Sequence, residues 1–171
     1  MARGSELKSR DFFAELYVAG LLGDAGWSIY FPKRDVGFDF IATKETPRAI
    51  IIRPVQVKGK YPGGNKGDRS SYGYIGPLSQ MHPEMALAIP YFPTDQHGVA
   101  PTCTAFMPQW AIRRQASKGW ACRPAQFTGG VPKPRRKFQR YFDYGGMALM
   151  EDTGWSVPPA AGNDDEEKHS P

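Results

Sequence analysis

One stretch of the chain, residues 50–60, limits the possible folds more than any other. Its first residues are apolar, and its second half alternates, with Gln56 between Val55 and Val57 and with Lys58 directly after them. Successive side chains of a strand point to opposite faces of the sheet. The pattern therefore predicts a strand over residues 49–58 that buries its valines and presents an amide and an amine together on its other face.

A second strand is predicted upstream, over residues 37–42, where Asp39 stands between Phe38 and Phe40. If the two strands are neighbours in one sheet, Asp39, Gln56 and Lys58 converge on one spot. Oxygen ligands beside an amine suit a hard metal ion and an activated water, an arrangement used for phosphodiester hydrolysis. Asp35, in the turn-rich residues 32–37, is the nearest rival of Asp39 as a metal ligand.

A helix is predicted over residues 5–22, ahead of both strands. Phe12, Leu16, Ala19 and then Leu22 or Gly23 recur at helical spacing and predict its apolar face. Glu15 lies next to that face, as a solvated carboxylate or as part of a site. A first strand is predicted at residues 27–31, after glycines that end the helix.

These elements together resemble the PD-(D/E)XK nuclease superfamily, which includes many restriction endonucleases and Holliday-junction resolvases. The resemblance is carried by a helix with Glu15, then the Gly37-Phe38-Asp39 sequence, then a strand that ends in Gln56-Val57-Lys58. It covers residues 9–60 well and about fifty further residues in outline. The chain departs from the pattern at Gln56, where most members carry Glu or Asp.

The resemblance implies a metal-dependent DNA endonuclease. Asp39 would bind Mg²⁺, with Mn²⁺ as a substitute, and the Gln56 side-chain oxygen or the Val57 carbonyl would be a second ligand. Glu15 would hold a metal-bound water, and Lys58 would orient the attacking water or help to deprotonate it. Because Gln56 lacks the charge of an acid, we expect weaker metal binding than in a Glu version.

The rest of the chain predicts further elements of the same domain. Strands are expected at residues 85–89 and 102–106, and a short helix with Trp110, Arg113 and Arg114 at 109–117. The expected fold is α/β, with a mixed central β-sheet flanked by helices, as in the restriction endonuclease-like core. Residues 1–150 would form this domain. The basic loop at 59–73 and the basic, aromatic run at 131–141 are each either a DNA contact or an exposed connection.

Charge is distributed unevenly along the chain. Residues 1–150 carry 21 Lys and Arg against 11 Asp and Glu, whereas residues 151–171 carry one Lys against six acids. A basic body suits a polyanion and predicts DNA as the partner. Residues 151–171 are expected to be an acidic, disordered tail that can compete for the same basic surface.

Other features argue against several classes of protein. No stretch of about 18 apolar residues is present, and the N-terminus lacks an apolar signal segment, so we expect a cytoplasmic protein without a membrane partner. Cys103 and Cys122 are expected to be reduced thiols, with a disulfide or a metal pair as alternatives. The three histidines are scattered, which does not support a zinc site. Association as a homodimer stays open.

Two alternatives to the endonuclease remain. The first is a nuclease-like fold that has lost its chemistry and serves as a DNA-binding or assembly module. The second is a small α/β protein in which Asp39, Gln56 and Lys58 form a polar face without a nucleic-acid role. Metal-dependent nicking of DNA and salt-sensitive DNA binding separate the three.

Overall fold

The computed structural model describes the backbone of residues 3–62, 74–76, 78, 81–115 and 119–160, and side chains from residue 10 onward outside residues 74–76. The described residues contain ten strands in three sheets. In chain order they are β1 (Ser28–Tyr30), β2 (Phe40–Glu45), β3 (Ile50–Val57), β4 (Tyr74–Gly76), β5 (Ala86–Tyr91), β6 (Cys103–Pro108), β7 (Arg113–Arg114), β8 (Trp120–Ala121), β9 (Ala125–Thr128) and β10 (Val131–Pro134).

The main sheet has five strands in the order β1-β2-β3-β5-β6. Strand β3 pairs with β5 in parallel, and the other neighbours in the sheet are antiparallel. The predicted α/β class with a mixed central sheet is therefore confirmed. The two small sheets are β4-β8-β7 and β9-β10, and all their strands except β4 follow β6 in the chain.

Of the two helices predicted from the sequence, the first is confirmed and the second is not. Two α-helices occur in the described residues, α1 (Arg3–Asp24) and the short α2 (Asp143–Leu149), together with 3₁₀ helices at Gln109–Ala111 and Arg136–Tyr141. The predicted helix at 109–117 was wrong: after one 3₁₀ turn the chain enters β7, which pairs with β8. No helix among the described residues is long and apolar enough to cross a membrane.

The buried face of α1 agrees with the prediction only in the C-terminal part of the helix. Ala19 and Leu22 are buried as predicted. Phe12 and Leu16, however, are 57% and 45% exposed, and Ala14 and Val18 are buried instead. The helix packs against β1, β3 and β5. Both sets of residues have helical spacing, and the sheet selects the face with Ala14 and Val18, whose smaller side chains allow closer approach.

Strand β3 contains Pro54 in its interior without losing a hydrogen bond to a neighbouring strand. The Val55 carbonyl accepts a hydrogen bond from Asp39 N, so the polar backbone groups of Val55 face β2. Along a strand, successive residues direct their backbone N–H and carbonyl groups to opposite neighbouring strands, so the backbone nitrogen of Pro54 faces β5. Pairing with β5 on that side starts only at Val55, which is opposite Ala86, so the absent N–H of Pro54 leaves no ladder bond unmade.

A buried arginine ties β3 to the end of the described chain. Arg53, 2% exposed, donates from Nε to the Met150 carbonyl at 3.0 Å and from Nη2 to the Asp152 carbonyl at 2.7 Å, and it pairs with Glu84. Trp155 is also buried and donates from Nε1 to the Met85 carbonyl. Packing thus continues past residue 150, the predicted domain boundary. The acidic residues 163–167 lie outside the described residues.

Candidate active site

The register of β2 and β3 brings Asp39 and Gln56 together. Strand β2 begins at Phe40, opposite Val55, and Asp39, the residue before it, donates its backbone N–H to the Val55 carbonyl at 2.9 Å. The Asp39 Oδ2 atom accepts hydrogen bonds from Gln56 Nε2 at 2.8 Å and from Val57 N at 2.6 Å. Two donors thus fix one carboxylate oxygen where the β2–β3 ladder begins.

An open cleft of about 490 Å³ lies over this pair. Glu15 reaches it from α1, and Asp39, Gln56 and Lys58 reach it from the sheet. The remaining wall comes from the connection between β1 and β2. It consists of Phe31, Pro32, Lys33, Arg34, Asp35, Gly37 and Phe38. All four side chains singled out in the sequence therefore lie at one cleft.

The structure separates the two candidate aspartates of this cleft. Asp35 accepts a hydrogen bond through Oδ1 from Gly37 N at 2.9 Å, closing a turn in which Gly37 has a φ of 83°. Asp39 instead contacts the amide of Gln56 and the backbone of β3. Asp35 thus has a local turn-forming role, while Asp39 joins two strands at the cleft.

Glu15 and Asp39, two of the acids at the cleft, have raised pKa values. Burial, followed by the charges of Asp39 and Asp11, raises the pKa of Glu15 from 4.5 to about 7. Burial also raises the pKa of Asp39, although the Val57 hydrogen bond and the Lys58 charge act in the opposite direction. The cleft therefore disfavours accumulated negative charge, and a cation bound there would relieve this cost.

The donor set of the cleft fits a hard cation. Carboxylate oxygens come from Glu15 and Asp39, and an amide oxygen is available from Gln56. The Val57 N–H points to Asp39, and the N–H and carbonyl of one strand residue face the same side, so the Val57 carbonyl also faces this side. Such oxygen ligands suit Mg²⁺. No group of three or more His, Cys, Asp and Glu residues in the described chain could by itself hold a metal.

Two basic features accompany these acids. Lys33 and Arg34, which the sequence left open as phosphate contacts or turn residues, line the cleft and are exposed. Lys60, two residues beyond Lys58, was not singled out. Burial lowers its pKa to about 8, with the Lys58 charge acting in the same direction. Its position in the basic loop at residues 59–73 gave no signal that it would be partly buried.

Comparisons of the chain with protein-family models, with curated proteins and with solved structures found no match.

Proposed function

We propose that the chain is a metal-dependent DNA endonuclease with a restriction endonuclease-like core, formed by α1 and the main sheet. The single observation that carries this proposal is the Asp39–Gln56 hydrogen bond, in a cleft shared with Glu15 and Lys58. It joins an acid directly before β2 to an amide of β3, beside an amine. The motif resemblance stated above supports the same function.

Each residue of the cleft would have a separate role in hydrolysis. Asp39 would bind the cation, and Gln56 and the Val57 carbonyl would add neutral oxygen ligands. A bound Mg²⁺, or Mn²⁺ in its place, would supply a water of lowered pKa and positive charge beside the phosphate. Lys33 and Arg34 are placed to hold the nucleic-acid backbone at the rim of the cleft.

Glu15 would accept the proton of the attacking water, and Lys58 would offset the negative charge on the phosphate. Hydrolysis forms a bond between a water oxygen and phosphorus and breaks the bond from phosphorus to one sugar oxygen, which takes a proton from solvent water. Glu15 lines the cleft with Asp39 and is placed to accept the proton of the attacking water. The Lys58 ammonium would orient the water and offset the charge that develops on the phosphate.

The test is nicking of supercoiled plasmid DNA in Mg²⁺ and in EDTA. We expect Mg²⁺-dependent nicking by the wild-type protein, and its loss in Asp39→Asn and Lys58→Ala with DNA affinity largely retained, because these residues supply chemistry rather than most phosphate contacts. Asp95→Asn, an exposed aspartate in the β5–β6 loop, is the matched control. Nicking by Asp39→Asn at the wild-type rate contradicts the proposal.

A DNA-binding module without chemistry is the second candidate. The observation that favours it is that the described residues contain no cluster of three or more acids, histidines or cysteines suited to a metal. It predicts salt-sensitive DNA binding without nicking in either Mg²⁺ or Mn²⁺. Asp35→Asn tests which aspartate of the cleft binds the metal. If Asp39 is the ligand, this variant is expected to keep its nicking activity, because the Asn oxygen can still accept the hydrogen bond from Gly37 N.

A further inference from the structure

A second cavity, of about 860 Å³, lies between the small β7–β8 sheet and the 3₁₀ helix Arg136–Tyr141. Its wall contains five cations and three aromatic rings. The cations are Arg113, Arg123, Arg135, Lys137 and Arg140, and the rings are those of Trp110, Phe138 and Tyr141. Among the residues that the structure describes, no Asp or Glu lines it. We call this the basic aromatic cavity.

The cations of the cavity have no carboxylate partner in the described part of the chain. The ion pairs found there are Lys44–Glu151 and Arg53–Glu84, both outside the cavity. Five neighbouring cations repel one another, and an anion that enters the cavity relieves that repulsion. The cavity therefore has the charge of an anion-binding site. Arginine guanidinium groups in particular match phosphate geometry.

The aromatic rings add a second kind of recognition. Tyr141 is buried and makes T-shaped contacts with Trp110 and Phe138, at centroid distances of 6.0 and 6.3 Å. Trp110 and Phe138 themselves remain partly exposed. Their rings are thus fixed in place and accessible beside cations. A simple anion uses only the cations, whereas a nucleotide uses both features, since its base stacks on aromatic rings and its phosphate meets arginines.

The accessible rings also distinguish single-stranded from double-stranded DNA as the ligand of the cavity. Duplex DNA keeps its bases stacked inside and cannot offer them to Trp110 and Phe138. The geometry points to single-stranded DNA as the ligand of the basic aromatic cavity.

Binding is tested with the full chain in EDTA, using a fluorescently labelled twelve-residue oligothymidylate and anisotropy. Trp110→Leu is expected to weaken binding about five-fold or more, because stacking is lost, while Trp110→Phe keeps a ring and binds nearly as the wild type does. Arg123→Gln and Arg135→Gln are expected to weaken binding and to reduce its salt dependence. Arg48→Gln, at the exposed β2–β3 turn, is the matched control.

Three further probes make the outcome decisive. A blunt duplex of the same length and an abasic strand are expected to bind more weakly than the oligothymidylate, and thymidine monophosphate is expected to displace it only at much higher concentration. Equal binding of the abasic strand, or unchanged affinity in both Trp110→Leu and Phe138→Leu, overturns the proposal. So does an equal loss in Arg48→Gln. Since no cleavage is measured, the result is independent of whether Asp39 supports nicking.

Discussion

Gln56 donates its side-chain amide to the Asp39 carboxylate across the β2–β3 pair at 2.8 Å. This bond stabilises the Asp39 carboxylate in the absence of a cation, because the neutral Gln56 amide donates a hydrogen bond to its oxygen. A second carboxylate at position 56 would repel that oxygen. In a metal site, the same amide can turn its oxygen toward the ion. Gln56 thus allows the cleft to remain assembled in the metal-free state and offers a weaker ligand in the bound one.

Gln56→Glu tests this relationship. The added carboxylate would face Asp39 at hydrogen-bond distance, so we expect a lower melting temperature than wild type in EDTA at pH 8. The variant also gains a hard anionic ligand. Mg²⁺ is therefore expected to raise its melting temperature more, with half-saturation at a several-fold lower concentration. Thermal melts over a Mg²⁺ titration measure both effects.

Gln96→Glu is the control for this experiment, because it adds the same charge at an exposed position in the β5–β6 loop. It should match the wild type in EDTA and in Mg²⁺. An unchanged Mg²⁺ requirement in Gln56→Glu shows that residue 56 does not contact the ion.

Glu15→Gln predicts a pH-dependent gain in stability without metal. The pKa of Glu15 rises from 4.5 in the unfolded chain to about 7 in the fold, chiefly through burial. Between these values the folded protein binds a proton that the unfolded chain releases, so this residue lowers the free energy of unfolding as pH rises. Glutamine does not titrate. The difference in the free energy of unfolding between Glu15→Gln and the wild type should be absent below about pH 4.5, grow toward pH 7 in favour of the variant and stay constant above that.

Urea denaturation in EDTA at a series of pH values measures this difference. Glu45→Gln, at the exposed end of β2, is the control and should show no such trend. A Glu15→Gln effect that is independent of pH, or largest in acid, contradicts the assignment of a raised pKa.

Substitution by alanine is expected to have opposite effects on stability at two glycines, Gly146 and Gly20. A Cβ at Gly146, in α2, would overlap the Tyr141 carbonyl and approach Phe106 to 3.1 Å. Gly146→Ala should therefore destabilise the fold by about 1–3 kcal/mol, as overpacking does. Gly20 lies exposed inside α1, and a Cβ added there would have nothing within 4 Å. Gly20→Ala should stabilise the fold by about 0.5–1 kcal/mol.

Urea melts of the two alanine variants at one pH measure both changes in the free energy of unfolding. Equal effects of the two substitutions would show that the close approach of α2 to the Tyr141 backbone is not present in solution.

Removal of residues 161–171 should strengthen binding of single-stranded DNA. Pro159 and Ala160 line the basic aromatic cavity, and Asp164 follows in the sequence within about 14 Å of extended chain from Ala160. A tethered acidic segment competes at an effective concentration of roughly millimolar. Truncation after Ala160 is expected to raise affinity a few-fold at low salt, with a smaller gain as ionic strength increases.

The matched control keeps the tail and removes its charge, by changing Asp164 and Asp165 to Asn and Glu166 and Glu167 to Gln. It should bind as tightly as the truncated protein. Equal affinity of the wild type and both variants at low salt shows that the acidic residues do not compete.

The sequence by itself determined where four of the five strands of the main sheet lie and which residues meet at the cleft. The strand predicted at residues 37–42 is displaced: β2 spans Phe40–Glu45, and Asp39 lies directly before it. Alternation around Val55 and Val57, and the aromatic neighbours of Asp39, are local signals, because strand periodicity places side chains on faces without knowledge of the partner strand. The same local pattern located β5 and β6 nearly to their ends. What these cleft residues do remains a prediction.

Only the tertiary structure decided the features that depend on distant contacts. The sequence carried two candidate apolar faces on α1, and packing on the sheet selected Ala14 and Val18 over Phe12 and Leu16. The short strand Arg113–Arg114 exists because β8 offers it a partner, which overrides the helical pattern read from its neighbours. Likewise, the basic aromatic cavity joins residues 110–141 to residues 159–160, and the raised pKa of Glu15 comes from burial. Long-range packing determines all four, and local periodicity contains no information about it.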